Sequence, residues 1–302
     1  MSEASATSNE VATATIVDVL RLRAETQKDQ IAYRFLADGE EERGSLTYGE
    51  LYRRARQVAN ELQRKSAVGQ RALLLDSSES DYIVTFFGCL CAGVIAVPIY
   101  APRVNKKGNA RVESVVADAQ PSVVLTAGAG SAAVRDVVAA SAGEHVKWID
   151  TNALPDHGEH WTPPILNGED IAFLQYTSGS TAAPKGVMVS HANILHNERM
   201  IQNAFDTRPG SVIVGWLPLY HDMGLIGNVL QPLYAGVPCI LMSPVAFLMD
   251  KNVCGSFTSL SRRMWPTTYL GQSGSRVPWM WSHWRELCGR SCGGTSRFAP
   301  AS

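Results

Sequence analysis

The sequence predicts an α/β fold of layered, mostly parallel sheets flanked by helices. Three observations lead there. Short runs such as Arg71–Leu75, Val94–Val97 and Ser122–Thr126 are nearly all apolar. Amphipathic helical stretches separate them. A loop rich in Ser, Thr and Gly then follows one of the apolar runs. Strands without polar alternation are buried on both faces, which suits a parallel sheet between two helical layers.

The elements follow in order. Ser45 to Lys65 reads as a helix. Thr47 and Glu50 have capping-box spacing, and Leu51, Ala55, Val58, Ala59 and Leu62 fall on one helical face. Tyr82–Cys91 reads as a buried helix, with Pro98 ending the strand Val94–Val97. Arg111–Ala119 is a second amphipathic helix and Val146–Ile149 a further strand. A polar, Pro-containing connector runs from Asp150 to Asp170. Beyond it come the strand Ile171–Tyr176, a return strand Val187–Val189, a helix His191–Phe205, and the strands Ser211–Gly215 and Pro238–Met242.

Lys plus Arg (27) nearly balance Asp plus Glu (28), so no basic excess points to nucleic acid. The six cysteines lack a disulfide-framework spacing, and Cys89 and Cys91 lie in an apolar run. They read as reduced core thiols of a cytoplasmic protein. The N-terminal MSEASATSNE lacks the layout of a signal peptide and reads as a disordered tail. Two uncharged runs, Tyr82–Pro102 and Met223–Met249, are long enough to span a bilayer. Glycines and prolines interrupt both, so each is expected to be a buried helix followed by a buried strand, and no integral membrane span is expected. His157 with His160, and His283 with Cys288 and Cys292, give no full tetrahedral set, so no protein metal site is expected.

The most informative segment is FLQYTSGSTAAPKGVMVSH, from Phe173 to His191. Gly179 lets the backbone approach a ligand closely. The hydroxyls of Thr177, Ser178, Ser180 and Thr181 can donate to phosphate oxygens beside successive backbone N–H groups. Lys185 adds a compact positive charge, and Gly186 follows it. A Walker loop is excluded because Pro184 precedes the lysine and no Ser or Thr follows. The bland reading is a polar turn between strands. Five consecutive Ser, Thr and Gly residues, Thr177 to Thr181, ahead of Pro-Lys-Gly favour phosphate binding.

Four stretches together resemble the adenylate-forming superfamily, and within it the fatty-acyl-AMP ligase branch. They are AVPIYAPR (Ala96–Arg103) with the later DAQPSVVLT, the phosphate-loop segment through Leu195, GWLPLYHDMGLIGNVLQPLYAGVPCILMSP (Gly215–Pro244), and the weaker LTYGEL (Leu46–Leu51). The resemblance covers residues 15–249 in the family's order. It implies the N-terminal part of an adenylate-forming fold and a reaction in which a fatty acid attacks ATP, with Mg²⁺, to give acyl-adenylate and pyrophosphate. It further implies transfer of the acyl group to an acyl carrier protein or polyketide synthase. Carried over by residue, Thr177, Ser178, Gly179, Ser180, Thr181, Lys185 and Gly186 match the ATP-binding loop, with Ala182 where the family usually has glycine. Lys185 and His221 are the catalytic candidates, and His221 borders the acyl and adenylate pocket in the family. Asp222 either orients that imidazole or starts the next helix. Trp216, Leu217, Leu225 and Ile226 either line an acyl tunnel or pack the core. The nearest alternatives are a long-chain acyl-CoA ligase and a non-catalytic relic or docking fragment.

The expected organisation is a tail over 1–10, a partial adenylation domain over 11–249 and an atypical tail over 250–302. That last stretch holds four of the seven tryptophans but only two acidic residues, and it fits neither periodicity. Its mixture of Arg, Trp, Ser, Gly and Cys suggests reading from a shifted frame.

Overall fold

The computed structural model describes residues 13–37, 40–75, 78–100, 109–128, 130, 132–143, 145–155, 160–177, 185–243 and 246. The tail 1–10, the loop residues 178–184 and the stretch 250–302 lie outside them.

Local signals set the helix starts. At α1 (Ile16–Thr26) the Thr15 hydroxyl accepts from the Asp18 amide at 3.1 Å, and the Asp18 carboxylate accepts from the Thr15 amide at 3.0 Å. Two orphan donors are thereby satisfied. A hairpin follows, β1 (Ile31–Leu36) with β2 (Glu42–Thr47), and β2 runs straight into α2 (Tyr48–Lys65). The Thr47 hydroxyl accepts from the Glu50 amide at 3.1 Å, which is one of the two bonds of the anticipated capping pair. Thr47 is also the last residue of the β1–β2 ladder, opposite Ile31, so its own backbone belongs to the sheet. α1, the hairpin and α5 (Ala132–Ala142) are elements that the sequence reading did not anticipate.

The remaining elements are β3 (Arg71–Leu74), α3 (Glu79–Ala92), β4 (Ile95–Pro98), α4 (Ala110–Ala119), β5 (Val123–Thr126), β6 (Lys147–Asp150), β7 (Ile171–Thr177), β8 (Lys185–Ser190), α6 (His191–Phe205), β9 (Ile213–Gly215), α7 (Asp222–Leu225), α8 (Gln231–Ala235) and β10 (Cys239–Leu241). They form two sheets. One has the order β2-β1-β10-β9, the other β6-β5-β3-β4-β7-β8. All pairings are parallel except the two hairpins, β1–β2 and β7–β8.

Alternation along the six-stranded sheet sorts its side chains onto two faces. Ala72, Leu74, Ala96, Val123, Leu125 and Phe173 enter the main core with α2, α3 and residues of the four-stranded sheet. Leu73, Val97, Val124 and Tyr176 face the other way, onto Val112, Val115 and Val116 of α4 and Val138 of α5. Gly88 lets α3 lie against α2, since a Cβ there would sit 2.5 Å from the Val58 side chain. Cys89, Cys91 and Cys239 are buried, and burial holds the Cys91 thiol up at about 12. The first uncharged run divides into α3 and β4. The second divides into α7, a π-helical turn at Ile226–Leu230, α8 and β10. Pro232 has no N–H for the carbonyl four residues back, and the ladder widens there, with Gln231 N–H donating to Ile226 O. No helix among the described residues is long and apolar enough to cross a membrane.

Candidate active site

The hairpin β7–β8 sets the base of the hydroxyl-rich loop. Its antiparallel register pairs Tyr176 with Gly186 and Thr177 with Lys185, so the two residues that flank 178–184 lie directly across from one another. Lys185 is exposed at the first position of β8. Ser178, Gly179, Ser180 and Thr181 lie outside the described residues.

Tyr176 fixes that base to the helix layer. Its hydroxyl donates to Asp118 Oδ2 at 2.6 Å, across 58 residues of sequence. Burial first, and then the bond to the Asp118 carboxylate, hold its phenol well above the ordinary range. Gly186 lies against the same ring, and a Cβ there would be 2.9 Å from Tyr176 Cζ. One aromatic ring thus contacts both strands of the hairpin.

A cavity of about 390 Å³ opens beside this base. Ile99 and Tyr100 after β4, Arg111, Val112 and Val115 of α4, Tyr176, Tyr220 and His221 line it. The Tyr100 and Tyr220 rings lie 6.0 Å apart, and the Tyr220 and His221 rings 5.1 Å apart. The wall joins apolar and aromatic side chains to one guanidinium and one imidazole, and it is about as polar as it is apolar. Such a cavity suits a ligand with an apolar body and a polar end.

His221 is carried by a tight turn. Its amide donates to Pro218 O at 3.1 Å, and its carbonyl accepts from Leu225 N–H at 2.8 Å. Gly224 makes the turn feasible, because a Cβ there would sit 2.1 Å from Pro218 O. Gly215, at the end of β9, leaves room for Asn228, whose side-chain atoms would lie 2.3–2.6 Å from an added Cβ. Asp222 begins α7, and its carboxylate accepts from the Met223 amide at 2.8 Å. A negative charge in a first turn suits the helix dipole.

The other predicted pocket residues are spread out. Leu225 is fully buried in the main core, and Ile226 packs against that core. Trp216 packs with Val214, Met242 and Ala246. Leu217 is half-buried. None of these four lines the cavity, whereas His221 does. Tyr100, Arg111, Val112, Val115, Tyr176 and Tyr220 are wall residues that sequence reasoning did not single out as site residues. The adjacency of Tyr176 to the loop, and the period of α4, were the signals available.

The model of the AMP-binding enzyme family matches residues 20–269, a span that extends past Met249. The chain is 40% identical over 240 residues to the medium-chain-fatty-acid–[acyl-carrier-protein] ligase JamA of Moorena producens, covering 78% of this chain and 40% of that protein. It is 39% identical over 247 residues to the long-chain-fatty-acid–AMP ligase FadD23 of Mycobacterium tuberculosis, covering 77% and 42%. Among solved structures, the fatty acyl-adenylate ligase from L. pneumophila in complex with acyl adenylate and pyrophosphate aligns with a TM-score of 0.72. The identity is 37%, over 83% of this chain and 43% of that one. The chain therefore spans about two fifths of the length of these proteins.

Proposed function

The chain belongs to the AMP-binding enzyme family, and from that premise we propose that it supplies the phosphate-gripping and acyl-activating part of a fatty-acyl-AMP ligase. The observation that supports this most is the meeting of two motif segments at one cavity. Tyr176, at the base of the hydroxyl-rich loop, and His221, in the Tyr-His-Asp-Met-Gly turn, both line it.

In the proposed reaction a fatty-acid carboxylate oxygen bonds to the α-phosphorus of ATP. The bond from that phosphorus to the oxygen bridging to the β-phosphate breaks, and pyrophosphate leaves with the electron pair. Thr177, Ser178, Gly179, Ser180, Thr181, Lys185 and Gly186 would hold the triphosphate. The Lys185 ammonium would oppose the charge that grows on the leaving group, a role of positioning and charge stabilisation. Mg²⁺ would supply further charge neutralisation. It commonly binds through substrate phosphates and one or two carboxylates, so it would arrive with ATP. Among the described residues no group of three His, Cys, Asp or Glu is placed to cage a metal. The cavity, with Tyr100, Tyr220 and His221 in its wall, would receive the acid. Trp216, Leu217, Leu225 and Ile226 would flank the acyl path in the complete ligase. The acyl group would then pass to an acyl carrier protein or polyketide synthase.

A fatty-acid-dependent release of pyrophosphate from ATP and Mg²⁺ tests the reading. The 302-residue chain is expected to be weakly active at most, because it spans only about two fifths of its relatives. The same fraction favours a second reading, a non-catalytic fragment. Equilibrium ATP binding separates the two, since a fragment without measurable affinity is at most a docking or relic protein.

A further inference from the structure

Gln175 lies on β7, one residue before the Tyr176 cavity wall and two before the loop base. Alternation turns it away from Tyr176, onto the face where Phe173 enters the main core. It is 3% exposed. Its Nε2 donates to the carbonyl of Tyr220 at 3.3 Å. Its Oε1 has no hydrogen-bond partner among the described residues. An apolar side chain would suit this face better, because a buried amide with an unpaired acceptor costs stability. Sites that break the local packing rule in this way tend to serve function.

The bond has a specific target. The Tyr220 carbonyl belongs to the peptide that joins Tyr220 to His221, and both of those rings line the cavity. The turn's own backbone bonds, from His221 N–H to Pro218 O and from Leu225 N–H to His221 O, fix its shape. The Gln175 amide ties that turn to the strand that carries the phosphate loop.

We propose that Gln175 is a positioning residue, which holds the Tyr220–His221 wall in register with the base of the β7–β8 hairpin. This deepens the reading of the cavity as an acyl-activating site and rests on it. A carboxylate and an α-phosphate react only when held a few ångströms apart in line, so a shift between the two supports would cost turnover in the complete ligase.

Hydrogen–deuterium exchange on the 302-residue chain reads the tether without nucleotide. In Gln175→Leu, the amides of 219–225 are expected to exchange about tenfold faster, as for loss of one hydrogen bond. Those of β3, β4 and β5 keep their rates. Equal acceleration throughout, or none at 219–225, overturns the proposal. Gln175→Glu gives an independent check when exchange at 219–225 is read relative to β3, β4 and β5, because a buried carboxylate by itself loosens the whole core at alkaline pH. Its carboxylate cannot donate to the Tyr220 carbonyl, but its protonated form can, and burial raises the pH at which it protonates. After correction for intrinsic rates, the excess exchange at 219–225 should be large at alkaline pH and shrink on acidification. An excess that is the same at every pH contradicts the proposal, and this check also serves if Gln175→Leu fails to fold. Failure of the parent chain to bind ATP would instead count against the acyl-activating reading and leave the tether result standing.

Discussion

The β7–β8 hairpin reaches the cavity as a ladder in unbroken register from Phe173↔Val189 to Thr177↔Lys185, whereas the segment Gly215–Leu225 reaches it as a turn held by close approaches. Strand pairing and residue type shape the first. The second depends on missing Cβ atoms at Gly215 and Gly224 and on buried polar bonds from elsewhere in the chain. The hairpin should therefore tolerate small changes that the turn does not, and chemistry should be concentrated on the exposed residues at the hairpin's end.

The largest expected effect tests how the hairpin hands over to α6. His191 follows β8 directly and is 2% exposed, and burial lowers its imidazole to about 4 despite the nearby carboxylates of Asp170 and Asp18. Because the unfolded chain takes up this proton near 6.5, stability is full above that pH and is lost as the pH falls towards 4. The loss should reach about 3 kcal/mol. Buried Glu198, whose carboxyl is held well above its usual range, moves stability the other way across this window. The His191 share is therefore the change in pH dependence between the parent chain and His191→Gln, read by urea unfolding at pH 7.5 and pH 4.5.

Next comes the turn itself. Gly224→Ala is expected to destabilise by about 2–3 kcal/mol, because the Pro218 carbonyl cannot move without opening the turn. Gly186→Ala on the hairpin presses only on the Tyr176 ring and should cost less, about 1 kcal/mol. Thermal unfolding compares the two, and the reverse order would break the contrast between ladder and turn. Tyr176→Phe removes the bond to Asp118 and should cost about 1 kcal/mol, since the freed carboxylate is exposed and becomes hydrated.

The same contrast explains what could be read in the sequence. α6 is found at His191–Phe205 as expected, because a Ser190–Asn193 capping box and a left-handed Asp206 C-cap bound an amphipathic run. The buried strands of the six-stranded sheet were visible as apolar runs, whereas β1, IAYRFL, inside the other sheet, was missed. β2 was missed because it is an edge strand with a largely exposed, polar sequence, ERGSLT. α1 was missed although the Thr15–Asp18 capping pair was present, and α5 because its alanine-rich sequence carries no strong periodicity. The loop's proposed chemistry rests on its residue types alone, because residues 178–184 lie outside the described ones. The Tyr176–Asp118 and Gln175–Tyr220 bonds join residues 58 and 45 positions apart, and spacing rules that work within one element cannot reach them.

ATP binding to Lys185→Ala tests most directly the proposed grip of a triphosphate by a hydroxyl-rich loop and one ammonium. Lys185 is exposed, so its removal should leave the unfolding midpoint nearly unchanged, within about 0.5 kcal/mol. ATP affinity measured by calorimetry should fall at least about tenfold, as for loss of a charge-assisted bond. Unchanged affinity in a folded Lys185→Ala chain would contradict the account.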